Sequence, residues 1–553
     1  MNAPVAIVGA GPVGMVMALL LDQHGVVCRL FDSETAPRAS PRGSTHNART
    51  MELYRQLGLA TAVRQLGLPG DYPTDVRYLT RLDGFELARL AMPSERDKQR
   101  AVAASSMLDQ VPEPVLRANQ MMVERYLAAC IRGRPHIDYR AGWQVEQFSQ
   151  HASGVAIRAR HASLGTREFA ASYLVGCDGA RSLVRKELGI ALRGPDGIGE
   201  QYFGGGMLAT HLRAPTLYRG CLRDRPAFQY WVGNPELRAT LIALDGRGEF
   251  LMFTQRPQTD GPIDRAWLLD TIQRCIGHAA PVEVLDTRTW RAGAALVAES
   301  LRERRVFLAG DAAHLFTPTG GFGMNTGIED AANLAWKLTS VLQGWGGEAL
   351  LASYELERLP VARRNAMAAR ELSRRVGELR IAPDLEDDTP EGAARRAELG
   401  SRLAGFADQF DSMGVHLGAR VDGSPIIIGD AAPPAEDLLR YTPSGVPGGR
   451  APHFWLDRGR GSGSSLYDRC GTGFTLLRFE DAGRDADQIV HAAALLGIPL
   501  EVVDIPNREP QALYQASMVL IRPDRLIAWR GSGHVEAWRA VSILRRLAGF
   551  TAY

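Results

Sequence analysis

An unbroken apolar run, Val5-Ala6-Ile7-Val8, starts the patterned part of the chain. A strand buried on both faces reads this way, because it has no solvent side toward which to alternate. Gly9-Ala10-Gly11-Pro12-Val13-Gly14 follows at once, and 15–24 continues as an apolar helix closed by Gly25. A second strand over 26–31 ends on Asp32, 18 residues beyond Gly14. The order is strand, helix, strand, with GxGxxG at the first turn and an acid after the second strand.

Helical periodicity returns at 120–131, and 155–159 and 173–176 read as strands. Between about 200 and 255 the strands 206–212, 228–232 and 240–244 follow one another without helices, which predicts an antiparallel sheet inserted into the first domain. The buried-strand pattern reappears at 306–309. The helix after it carries Ala331, Leu334, Ala335, Leu338 and Val341 on one face. A long helix is predicted over 348–379, ending at Ala382-Pro383-Asp384 and the acidic Glu386-Asp387-Asp388. The tail has its own order: strand 474–479, helix 486–496, strand 500–504, a hairpin of 517–521 with 526–529, and helix 535–547. That order is thioredoxin-like, yet the chain has no CxxC to perform thiol chemistry.

Charge and composition narrow the classes. The 64 basic and 62 acidic residues leave a net charge of +2, so no global field selects nucleic acid or an anionic membrane. The uncharged stretch 4–21 has no basic region before it and is interrupted by glycines and Pro12, so it reads as the nucleotide turn rather than a signal or a span. Six scattered cysteines and twelve histidines form no disulfide framework and no HExxH, so no metal site is expected and a cytosolic setting fits.

Chemistry concentrates in three places. Gly9 permits the tight turn, Gly11 the approach of a pyrophosphate, and Gly14 close packing of helix on strand, while Pro12 and Val13 start a helix whose positive end faces the phosphates. Asp32, followed by Ser33, would accept from a ribose. The second place is Tyr173-Leu174-Val175-Gly176-Cys177-Asp178-Gly179-Ala180-Arg181-Ser182. The third is Leu308-Ala309-Gly310-Asp311-Ala312-Ala313-His314, leading to Pro318 and Gly320-Gly321-Phe322-Gly323-Met324-Asn325-Thr326-Gly327.

These segments together resemble the fingerprints of the para-hydroxybenzoate hydroxylase family, the single-component FAD-dependent aromatic monooxygenases. The resemblance continues through Asp330, Asn333, Trp336, Lys337, Tyr354, Glu357, Arg358 and Pro360 into Arg450, His453 and Arg522-Pro523-Asp524. The tail is similar to that of the subgroup with phenol hydroxylase, 2,4-dichlorophenol hydroxylase, 3-(3-hydroxyphenyl)propionate hydroxylase and the polyketide hydroxylases.

The resemblance implies an α/β fold in several parts. A Rossmann-like FAD-binding domain would comprise 1–74, 103–184 and 287–375, with an antiparallel-sheet substrate domain from 75–102 and 185–286. A helical linker (376–414) and a thioredoxin-like domain (415–553) would follow. It implies FAD as cofactor, NADH or NADPH as reductant, and dioxygen and a small phenolic aromatic as substrates, reacting through a flavin hydroperoxide in a homodimer.

The site residues carried over are Asp311 on the ribityl chain, Gly310 beside it, and Arg42 at the pyrophosphate, with Arg49 a weaker candidate. Gln120 would touch the flavin, and Asp178 and Arg181 would serve FAD and NAD(P)H. Pro318, Gly320, Gly321 and Gly323 would lie along the flavin ring, with the helix at Met324 and Asn325 aimed at its pyrimidine edge. No catalytic side chain is singled out; Pro318, Gly320 and Gly321 are the flavin-facing candidates. Tyr202, His211, Tyr230 and Trp231 are the substrate candidates. Asp32-Ser33 departs from the usual glutamate-arginine pair, which removes one contact to the adenosine. On ordinary grounds Cys177 is a packed thiol, His314 a helix-packing histidine and Trp336 a core residue. A halogenase lacks support because WxWxIP is absent. An NAD-linked dehydrogenase would leave Gly310-Asp311 unexplained, and a non-catalytic flavoprotein stays open.

Overall fold

The computed structural model describes residues 4–194, 206–255, 262–291, 295–457 and 464–550. The run Val5–Val8 lies at the centre of a six-stranded sheet. Tyr173–Gly176 pairs parallel on one side and Cys28–Asp32 on the other, with Val5 opposite both Tyr173 and Cys28. Val306–Leu308 and Ile137–Ala141 extend the sheet in parallel, and Arg302–Glu303 closes one edge antiparallel. All four residues of Val5–Val8 are buried, as a strand covered on both faces requires.

The helix Pro12–Gln23 packs against the helix Phe322–Leu342. Small residues set that approach. A Cβ on Gly327 would stand 2.7 Å from Val13 Cγ2 and 2.8 Å from Gly310 Cα, so only glycine lets these segments meet. No described helix is long and apolar enough to cross a membrane.

A seven-stranded sheet has the order Glu283–Arg291, Gly206–Arg213, Glu249–Gln255, Arg238–Ala243, Gln229–Gly233, Val76–Leu79, Glu86–Leu90. The expected antiparallel arrangement holds for every pair but one: Gln229–Gly233 runs parallel to Val76–Leu79. That junction joins two excursions of the chain, and the long intervening segment frees it from hairpin geometry. Glu283–Arg291 pairs along Gly206–Arg213, so this sheet continues past the boundary at 286 expected from sequence. The helix Arg265–Ile276 supplies Leu268, Ile272, Cys275 and Ile276 to the core on one side of the sheet.

In the tail, Phe474–Phe479 pairs parallel with Leu500–Ile505 and antiparallel with Met518–Ile521, which pairs with Ile527–Gly531. Helices Asp487–Leu496 and Ala537–Leu547 pack together. A helix at Arg508–Tyr514, too short to show periodicity in sequence, links the second strand to the hairpin. The tail shares a core with the first domain: Trp336, Trp345 and Leu350 pack with Phe474, Leu520 and Leu544. Trp336 is thus a core residue, as expected.

Candidate functional site

The turn after Val5–Val8 is shaped to receive a diphosphate. Gly9 has φ +100°, and a Cβ there would stand 2.4 Å from the Cys177 carbonyl oxygen. Gly11 caps the helix Pro12–Gln23 without any side-chain hydrogen bond, so the first N–H groups remain available to an anion. Asp32 accepts from Ala10 N at 2.6 Å and Glu34 N at 2.8 Å, which fixes its carboxylate at the rim of this turn. Ser33 beside it is exposed.

Asp178 backs the same turn, its Cα 2.9 Å from where a Gly9 Cβ would lie. Its carboxylate accepts from Ser182 Oγ at 2.5 Å and Val184 N at 3.1 Å, so it serves the start of the helix Leu183–Glu187. Cys177 is a packed thiol whose pKa burial pushes up, with Asp178 adding to the effect.

Past the strand Val306–Leu308, Gly310 takes φ +62° and donates its N–H to Asp330 at 3.1 Å. That kink turns Asp311 into a cavity of about 320 Å³. Desolvation by the cavity walls raises the Asp311 pKa, while His314 and Arg42 oppose the rise, and the residue stays exposed to the cavity. Among the described residues no protein donor bonds to this carboxylate, so it is available to a hydroxyl-rich ligand. Arg42 lines the same cavity, its pKa lowered by burial and by Arg38 and held up by Glu124 and Asp311. Gln120 also lines it and donates to Glu124 at 2.6 Å. Arg49 lies elsewhere, paired with Glu52 at 2.9 Å.

Pro318, Gly320, Gly321, Gly323 and Met324 line the cavity as one turn opening into the helix Phe322–Leu342. Gly320 and Gly321 have φ of +80° and +68°, a conformation that favours glycine. The Asn325 side chain donates to Thr45 O at 3.0 Å and Gly321 O at 2.6 Å and accepts from Asn47 N at 2.9 Å. It therefore anchors the turn to the 45–47 segment, leaving the N–H groups of Gly323 and Met324 at the positive helix end.

His314 is absent from the cavity wall. It is fully buried, with Nε2 2.7 Å from an Asp330 oxygen, and Arg358 Nε donates to the other oxygen at 2.7 Å. This is a packing role.

The opposite wall comes from the seven-stranded sheet. Trp231 lines the cavity with Phe228, Gln229, Thr240, Ile242 and Phe253. Two other substrate candidates lie away from it. Tyr230 points to the other face of its strand, where its hydroxyl accepts from Ala227 N at 2.8 Å and donates to Arg225 O at 3.1 Å. His211 is near-buried and 3.1 Å from Glu249. Tyr202 lies outside the described residues. Sequence reasoning missed Gln229, which follows from Trp231 by the two-residue period of a strand. It also missed Arg117, Gln409 and Phe410, which reach the cavity from distant segments without any local signal.

The donor set fits FAD. A glycine turn and an uncapped helix end suit the diphosphate, an unbonded carboxylate suits the ribityl hydroxyls, and a glycine-walled slot at a second helix end suits the flavin ring.

Comparison with known proteins agrees with that geometry. Residues 2–369 match the model described as FAD binding domain, and 444–550 match that described as aromatic-ring hydroxylase, C-terminal. The chain is 31% identical to the FAD-dependent monooxygenase apdD of Emericella nidulans, over 99% of this chain and 90% of the relative. It is 30% identical to the 2,4-dichlorophenol 6-monooxygenase of Delftia acidovorans, over 95% and 94%. Among solved structures, RebC soaked with chromopyrrolic acid, with bound 7-carboxy-K252c, superimposes over 100% of both chains with a TM-score of 0.89 at 34% identity.

Proposed function

The chain belongs to the FAD-dependent aromatic-ring hydroxylases, and we propose that it hydroxylates a phenolic ring with dioxygen, using NADH or NADPH as reductant. The observation that supports this reading is one cavity bounded by the 318–324 glycine turn on one side and the aromatic wall of Phe228, Trp231 and Phe253 on the other.

FAD, when bound, supplies the activation of dioxygen. The protein's part is binding, orientation and exclusion of water. Asp311 would accept from ribityl hydroxyls, and Arg42 would offset phosphate charge. With FAD bound, the Gly323 and Met324 N–H groups would present a positive helix end to the flavin ring, favouring the negative charge of its reduced form. Phe228, Trp231, Ile242 and Phe253 would hold the substrate ring dry against the turn. Ionising an ordinary phenol of pKa ~10 at pH 7 costs about 4 kcal/mol, so a cation or donors in this wall would assist the reaction.

The experiment is a screen of phenols, hydroxybenzoates and polycyclic phenols for stimulated NAD(P)H oxidation, with isotope-labelled dioxygen and mass spectrometry of the product. A substrate should acquire one labelled oxygen. Stimulated oxidation with no label in any product would refute hydroxylation.

A further inference from the structure

We infer that Arg117 is the anion-recognising residue of the substrate cavity: the aromatic substrate carries an anionic oxygen, phenolate or carboxylate, that pairs with its guanidinium. The inference rests on the reading that this cavity holds an aromatic substrate.

Arg117 sits on the two-residue strand Leu116–Arg117, antiparallel to Thr45–His46 and directly opposite Thr45. Its Nη1 donates to Thr45 Oγ1 at 2.6 Å. Thr45 in turn abuts the glycine turn, its Cβ 2.9 Å from where a Cβ on Gly321 would lie. The guanidinium therefore stands beside the turn that begins the Phe322–Leu342 helix. The rings of Phe228 and Phe410 flank it, with centroids at 5.1 Å and 5.9 Å. Arg117, Thr45, Gly321, Phe228 and Phe410 all line the cavity.

The charge lacks an ionic partner. Arg117 is 5% exposed, yet among the described residues no carboxylate comes within 4.0 Å of it. Several other buried arginines are paired: Arg358 with Asp330 at 2.7 Å, Arg450 with Glu52 at 2.5 Å and Arg522 with Glu357 at 2.7 Å. Arg525 and Arg185 bond only carbonyls, but neither lines this cavity. Of the five N–H donors of Arg117, Thr45 takes one and the Phe410 carbonyl, at 3.4 Å, a second, while the buried Nε has no partner.

The surroundings do not neutralise it. Burial, with Arg117 adding repulsion, holds His416 neutral at a pKa of about 3. His46 sits at about 4, lowered by burial and Arg117 against the hydrogen bond its Nε2 donates to Ala118 O. Asp411 attracts from beyond pairing distance, and burial still lowers the Arg117 pKa to about 10. A buried cation without a counter-charge is costly. An aromatic anion entering the cavity supplies that charge between two rings, where each Nη still has one N–H to donate.

The test is binding to the FAD-loaded enzyme without reductant, read from flavin absorbance at about pH 8. One arm compares 6-hydroxy-2-naphthoate with 6-hydroxy-2-naphthamide. The other compares 4-nitrophenol, largely phenolate at this pH, with 4-nitroanisole. In at least one arm the anion should bind about tenfold or more tightly than its neutral partner, and the arm that responds identifies the source of the charge. Arg117→Met and Arg117→Gln should bring that ratio close to one in whichever variant retains FAD. A wild-type enzyme with no anion preference in either arm overturns the inference, whatever the variants do. A preference that survives the substitutions also overturns it, including the case where the variants shift only the flavin potential. Because no turnover is involved, an anion that binds through Arg117 but never stimulates NAD(P)H oxidation would count against hydroxylation alone.

Discussion

Glu357→Gln should loosen the junction between the tail and the flavin domain. Five hydrogen bonds converge on this carboxylate. Oε2 accepts from Lys337 Nζ at 2.7 Å, Asn333 Nδ2 at 2.7 Å and Arg522 Nη2 at 2.8 Å, and Oε1 from Arg522 Nη1 at 2.7 Å and Ser424 Oγ at 2.6 Å. The side chains of Lys337, Glu357 and Arg522 are all 0% exposed. Burial alone would raise the Glu357 pKa, but the Arg522 and Lys337 charges outweigh it and hold the group well below the usual carboxylate range. The amide preserves the shape, yet it turns an N–H₂ toward a ring of donors and leaves two buried cations with less compensation. Breaking such a buried pair costs about 3–5 kcal/mol. At about 1.36 kcal/mol per factor of ten, opening becomes roughly 150- to 5,000-fold more frequent.

Hydrogen exchange in the strands Met518–Ile521 and Ile527–Gly531, flanking Arg522, reads this directly. A change of less than about tenfold, with flavin content intact, would refute the reasoning. The pH dependence has a defined sign. A depressed carboxylate pKa stabilises fully above the unfolded value near ~4.3 and loses that contribution as pH falls below it. The gap between variant and wild type should therefore hold from neutral pH to about pH 4 and narrow in more acidic solution.

Asp311→Asn should weaken FAD binding by about 1.5–3 kcal/mol, since the ribityl hydroxyls lose a charged acceptor; an unchanged dissociation constant by flavin fluorescence would exclude that role. Trp231 separates the cavity from an apolar hollow of about 40 Å³ lined by Tyr78, Leu399 and Leu403. Trp231→Ala should thus improve binding of a ligand with one more fused ring by about tenfold or more relative to its smaller parent, and an unchanged ratio in flavin difference spectra would count against a gate there. Cys470 is the tail's single cysteine, buried with its thiol pKa raised by burial, so Cys470→Ser should leave turnover unaltered; a large loss at normal FAD content would reveal thiol chemistry.

The amino-acid sequence by itself determined the parts whose physics is local. Val5–Val8 must be a doubly buried strand, Gly9 must permit the tight turn and Gly14 the close packing of helix on strand, because backbone conformation and short-range periodicity act within a few residues. The tail's strand order was legible for the same reason. Phase and convergence were decided only by the tertiary structure. Period two says that Tyr230 and Trp231 face opposite ways, but only the burial of Tyr230 in the core shared with Leu241, Phe250 and Ile272 leaves Trp231 toward the cavity. The parallel junction of Gln229–Gly233 with Val76–Leu79 joins segments some 150 residues apart, beyond any periodic signal. Arg117 looks like any arginine in the chain text. It becomes an unpaired buried cation because Thr45, Phe228 and Phe410, each from a different segment, close around it. Burial, and with it the energetic meaning of a charge, is a property of the assembled fold.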